Sequence, residues 1–261
     1  MRNVLMILVL LTAGAARAEP VSFPGPQGIT IQAELFRPEG EPRGPAVVAL
    51  HGCGGPFPSR DAMWRKILTD AGHVVLFPNS FASRGLGSQC RETKRVATAS
   101  GLRRKDAIAA AQYLAATEPS AKAGVVMLGW SDGGSTVLAT ASAGRADLPS
   151  GLIRRFIAFY PGCRGFAASS TWAPAAPLAI LHGEADDWTP IAPCRELASR
   201  APGVSLTGFP GAYHDFDAPV PIRVMQNIPT SQNADHTVHA GGNDAARAEA
   251  VRRVLALVAQ R

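Results

Sequence analysis

Three residues of this chain have the types and settings that nucleophilic catalysis requires: Ser131, Asp186 and His214. Ser131 sits in G-W-S-D-G, directly after the apolar run Val125, Val126, Met127 and Leu128, and before small and aliphatic residues at helical spacing. That pattern reads as a buried strand, a tight turn and a helix, with Gly129 and Gly133 small enough for a strained elbow to close. A hydroxyl exposed there lies at a helix N-terminus, where an oxyanion would take a hydrogen bond from the N–H of Asp132. An alcohol is a weak nucleophile until a base takes its proton. His214 is the candidate base, and the carboxylate of Asp186 would hold its useful tautomer and stabilise the imidazolium.

Each assignment has competitors. Asp187 adjoins Asp186, and G-E-A-D at 183–186 with Pro190 beyond favours Asp186. His236 and His239 compete with His214, which directly follows the last expected strand; His51, His73 and His182 lie on or at the ends of strands and read as structural. The loop H-G-C-G-G at 51–55 offers a second oxyanion N–H, that of Cys53. Trp130 either lines the acyl site or braces the elbow, and Arg84, Trp188 and Tyr213 lie on loops that could border substrate. Among these only Arg84 carries a charge, which would select anionic esters.

Residues so far apart must be brought together by strand ends. Strands are expected at 28–36 (antiparallel and leading), 46–50, 73–77 (ended by Pro78), 125–128, 153–160, 177–182 and about 204–207. Helices are expected at 59–70, 102–116, beyond the elbow, at 191–199 and at 244–259, with a surface excursion over 217–242. Alternating strands and helices predict an α/β fold, a mostly parallel sheet with helices on both faces. Its right-handed crossovers place the loops after successive strands at one edge.

With these motifs assembled, the chain resembles the dienelactone hydrolase family of α/β-hydrolases over almost its whole length beyond the first residues. The resemblance is carried by 51–55, by G-W-S-D-G-G at 129–134, by G-E-A-D at 183–186 and by G-A-Y-H at 211–214. It implies a compact hydrolase core without a large inserted cap. The family proper uses a cysteine nucleophile, where this chain has Ser131, and holds a substrate carboxylate with arginines. Arg84 could fill one such role, but no arginine directly follows His214. The expected reaction is hydrolysis of carboxylic esters or lactones through an acyl-enzyme. Thioesters and peptides suit the same groups, and a noncatalytic binding or structural protein on this fold is the alternative from another class.

The sequence has 261 residues, 46% hydrophobic, with 26 Gly and 21 Pro and no linker or repeat, so one domain over 19–261 is expected. Arg2, an apolar stretch over 4–11 and Ala16-Arg17-Ala18 form the pattern of a signal peptide, 1–18, cleaved before Glu19. The stretch is too short for a lasting membrane span, and a periplasmic or secreted location follows. Losing Arg2 and Arg17 from 26 basic residues, against 20 acidic ones, leaves a net charge of +4, too small to mark a nucleic-acid binder. The basic run Arg103-Arg104-Lys105 reads as a solvated helix face. In an oxidising compartment the four cysteines allow three pairings, and the expected strand order favours Cys53–Cys90 and Cys163–Cys194 over free thiols. No compact metal-ligand motif is present, no cofactor is expected, and the partner is a small-molecule ester or lactone. A monomer is compatible with the sequence, which leaves the oligomeric state open.

Overall fold

The computed structural model describes residues 18–231 and 233–260, so the expected signal peptide lies outside the described residues except for Ala18. In chain order the elements are β1 (Glu19–Pro24), β2 (Thr30–Phe36), β3 (Val47–Leu50), α1 (Pro58–Asp70), β4 (Val75–Asn79) and α2 (Leu102–Thr117). They continue with β5 (Val125–Trp130), α3 (Asp132–Ala141), β6 (Ile153–Phe159), the short α4 (Arg164–Ala167), β7 (Leu178–Gly183) and α5 (Ala192–Arg200). β8 (Val204–Phe209), β9 (Arg223–Met225), β10 (Val238–Ala240) and α6 (Asp244–Ala259) complete the fold.

Among the described residues, eight strands form one sheet in the order β1-β2-β4-β3-β5-β6-β7-β8, and only β2 runs against its neighbours. This is the α/β-hydrolase arrangement. Alternate side chains of each strand point to opposite faces. Val48, Leu50 and Met127 pack under α2, α3 and α5 with Ala107, Leu138 and Leu197. Val47, Ala49, Leu128 and Trp130 face α1 and α6 through Trp64, Leu68, Ala250 and Val254. Every residue of β5 is buried, as expected of a central parallel strand covered on both sides. The last helix begins where the side chain of Asn243 accepts a hydrogen bond from the N–H of Ala246 at 3.1 Å.

Four readings need correction. E-P-V-S-F-P at 19–24 lacks clean alternation and carries proline at two positions, yet it forms β1, because an edge strand tolerates missing donors. Pro78 does not end β4: it pairs with Ala33 on the β2 side, beyond the point where β3 pairs with β4. Residues 217–242 are not simply a surface excursion. Asp217, Ile228, Val238 and Ala240 are fully buried, and the latter three pack with Cys53, Cys90 and Trp188. Finally, Arg103 and Arg104 are not solvated: both are buried, paired with Asp132 and Asp147, while Lys105 is exposed.

Candidate active site

β3, β5 and β6 end side by side, with Leu50, Gly129 and Ala158 in register. Ser131 follows β5 with φ 56° and ψ −117°, a backbone state that costs of the order of 1–3 kcal/mol and persists only where surroundings enforce it. Here they do. A Cβ on Gly133 would lie 2.2 Å from the Leu50 carbonyl oxygen, and one on Gly129 would lie 2.4 Å from that of Gly133. Only glycine permits α3 to approach β3 and β5 this closely, and the approach turns the Ser131 hydroxyl outward.

The Asp186 loop follows β7. Its Oδ1 accepts the N–H groups of Trp188 and Thr189 at 2.9 and 2.8 Å, and its Oδ2 accepts the Thr189 hydroxyl at 3.0 Å. The same Oδ2 lies 2.8 Å from His214 Nδ1, and His214 Nε2 lies 2.8 Å from Ser131 Oγ. A carboxylate held by so many donors can only accept, so Nδ1 carries the proton and Nε2 is free to accept from the serine. Burial favours the uncharged form of Asp186, but the imidazole of His214 and these hydrogen bonds hold it below the usual carboxylate range. For His214, burial opposes the imidazolium, and the charge and hydrogen bond of Asp186 outweigh it, raising its pKa. The His214 ring lies against those of Tyr160 and Trp188, each 4.6 Å away.

A complete serine–histidine–aspartate relay therefore stands at the carboxyl edge of the sheet, and the profile of the family described as dienelactone hydrolase matches residues 31–261. The chain belongs to the dienelactone hydrolase family. It is a serine-nucleophile member with the machinery of a carboxylic ester hydrolase. Among solved structures it is similar to a dienelactone hydrolase from Anabaena variabilis, at 16% identity and TM-score 0.63, covering 92% of this chain and 96% of that one. A hyperthermophilic esterase from the archaeon Pyrobaculum calidifontis matches at 19% identity and TM-score 0.63, covering 93% and 85%. A puromycin-hydrolyzing peptidase of Mycobacterium tuberculosis matches at 21% identity and TM-score 0.58; 76% of this chain is covered, but it spans only 36% of that longer chain. At such identities the likeness speaks for the fold. No curated protein matches the sequence.

In this dienelactone hydrolase family member two of the competing residues, Asp187 and His239, pair with one another, and His236 is exposed. Asp187 Oδ2 lies 2.8 Å from His239 Nδ1, Asp187 Oδ1 accepts the His239 N–H at 2.8 Å, and Tyr213 stacks on His239. His51 is structural: its Nε2 accepts the Ser80 N–H at 3.2 Å, leaving Nδ1 to donate to the Gly52 carbonyl at 2.8 Å. Both favoured disulfides are formed, Cys53–Cys90 and Cys163–Cys194.

Two recesses meet at Ser131. One of about 470 Å³ is bounded by Arg95, Asp132, Gly162, Arg164 and Pro190, the other, of about 250 Å³, by Gly54, Phe57, His214, Arg223 and Met225. Cys53 and Trp188 border both. A larger recess of about 730 Å³ lies between α1 and the β1 edge and reaches none of the triad. Trp130 is not brought to either cleft: it is fully buried, stacked on Phe159, and its Nε1 donates to Asp217. Tyr213 borders neither recess. Nor does Arg84, which grips Asp106 at 2.7 and 2.8 Å and donates to the Ser80 carbonyl.

The residues that sequence reasoning missed act through other groups. Thr189 braces Asp186, and Arg95 and Arg103 hold the Asp132 carboxylate from two sides. Arg103 also donates to the His51 carbonyl, joining the elbow to the 51–55 turn. The basic run at 103–105 was a signal for such a role only if a partner acid could be placed beside it, and Asp132 is 29 residues away in sequence.

Proposed function

We propose that this chain is an exported hydrolase of carboxylic esters or lactones whose acyl-enzyme forms on Ser131. The observation that carries the chemistry is the unbroken sequence of 2.8 Å contacts from Ser131 Oγ through His214 to Asp186. His214 Nε2 takes the hydroxyl proton as Ser131 attacks the carbonyl carbon. The oxyanion is received by the N–H groups of Asp132 and Cys53. Asp132 is the first residue of α3, so its N–H has no partner within the helix, and Cys53 lies in the Gly52–Gly55 turn beside Ser131. His214 returns its proton to the leaving alcohol, then activates water to release the acid.

Because His214 borders only the smaller recess, that recess takes the leaving group, and the larger one takes the acyl portion. Trp188 forms a wall between them. Export is supported by the signal pattern at 1–18 and by β1 beginning at Glu19, so that cleavage there leaves the strand whole. Treatment with a fluorophosphonate probe and peptide mapping tests the chemistry. Labelling on Ser131, lost in Ser131→Ala, is expected, and a folded protein that does not label would sink the reading. A panel of esters, lactones, thioesters and peptides then ranks substrates.

A further inference from the structure

Asp217 takes no part in the proton transfers above, yet it is completely buried and its carboxylate accepts three side-chain hydrogen bonds. Oδ2 accepts from Trp64 Nε1 at 2.6 Å and from Trp130 Nε1 at 2.8 Å, and Oδ1 accepts from the Tyr160 hydroxyl at 2.6 Å. Indole N–H groups only donate, so Oδ2 must serve as acceptor for both. Burial pushes the Asp217 carboxyl above the usual carboxylate range, opposed by the charge of buried Arg60 and by the hydrogen bonds from Tyr160 and Trp64. Arg60 lies over the Trp130 ring at 4.5 Å, with Asp61 and Asp215 at 2.9 and 3.8 Å.

The three donors come from three different parts of the site. Trp64 belongs to α1. Trp130 immediately precedes the nucleophile. Tyr160 directly follows β6 with φ 37° and places its ring against His214. Asp217 itself lies three residues beyond His214. Apolar packing alone would hold these elements together, but it is non-directional; hydrogen bonds to one carboxylate set orientation as well as distance.

We infer that Asp217 is a positioning residue for the hydrolysis, its carboxylate tying the His214 loop to Trp130, Tyr160 and Trp64 so that Nε2 meets the Ser131 hydroxyl. The inference rests on the acyl-transfer reading and adds a residue to it.

Asp217→Asn keeps the shape but removes the charge facing Arg60, and with its oxygen on the two indole N–H groups its N–H₂ meets Tyr160, whose hydroxyl must turn from donor to acceptor. With a soluble p-nitrophenyl ester, kcat should fall about 10- to 100-fold, since small displacements of a reacting group cost that much, while KM stays within about twofold. Tyr160→Phe keeps the ring on His214 and removes one donor, so a smaller loss of about three- to tenfold is expected. The double variant should lose little more than Asp217→Asn alone.

The pH profile separates positioning from general loosening. Burial and Arg60 lower the His214 pKa while Asp186 and Asp215 raise it; removing the Asp217 charge leaves Arg60 less compensated with those acids in place, so the acid limb of kcat/KM should move to lower pH. A loosened, wetter site would move it upward, because burial is what opposes the imidazolium. A folded Asp217→Asn protein with unchanged kcat, or with an upward shift of that limb, overturns the inference. Should that variant not fold, unchanged kcat in Tyr160→Phe overturns it instead. Wild-type protein that fails to label at Ser131 would end both readings, whereas a labelling wild type and an equally fast Asp217→Asn variant would end this one alone.

Discussion

Asp186 and Asp187 are adjacent carboxylates with two histidines within reach, and both acid–imidazole pairs form at the same 2.8 Å. What separates them is the other side of the ring. Only His214 reaches Ser131, and Asp187 instead secures the segment bearing β10. The raised pKa of His214 fixes the sign of the pH dependence. Catalysis needs neutral imidazole, so the acid limb of kcat/KM should lie above the value of about 6.5 for a free histidine. The stability contributed by the charged pair behaves oppositely: it is complete below the unfolded-state pKa and is lost as pH rises through the folded one. Asp186→Asn should lower kcat by about 10³- to 10⁴-fold and bring the limb down, measurable as rate against pH. Arg84 calls for a different variant test. Its side chain and that of Asp106 are 8% and 1% exposed, so Arg84→Ala strands a buried carboxylate and should cost about 3–5 kcal/mol. Equal loss of activity on anionic and neutral esters is expected; a selective loss on anionic ones would restore Arg84 to a substrate-binding role.

At the scale of elements, the site depends on two short turns meeting one helix end. The glycines at 129 and 133 were legible as an elbow because a strand-to-helix change of periodicity flanks them. The depth of the approach was not legible, since it depends on where the backbone of β3 lies. The 51–55 turn is held by Cys53–Cys90, by His51 and by Arg103. Replacing Cys53 and Cys90 by alanine should cost about 2–4 kcal/mol, as expected for a cross-link spanning 37 residues. It should also reduce kcat, because the turn carries an oxyanion donor. Replacing Cys163 and Cys194 should cost similar stability with a smaller loss of rate. Urea denaturation with ester kinetics on both double variants checks this, and equal rate losses would remove the special role of the turn.

Across the whole molecule, the fold brings together loops that are up to 83 residues apart in the triad alone. No helix among the described residues is long and apolar enough to cross a membrane. Export is tested directly by sequencing the N-terminus of protein recovered from the producing cell's periplasm or medium. Glu19 as the first residue is expected, and retention of residues 1–18 would contradict the proposal.

Sequence alone determined the order of strands and helices from β2 to β8 apart from the short α4, the closing helix, the elbow at Ser131 and the family. These rest on local periodicity, glycine placement and motifs that short windows contain. Tertiary structure decided which aspartate faces which histidine, that Arg84 and Trp130 turn away from the clefts, and that Asp217 lies at the centre of a buried network. Those outcomes depend on the directions of side chains from separate strand ends, and direction is set only when the sheet has closed and packed.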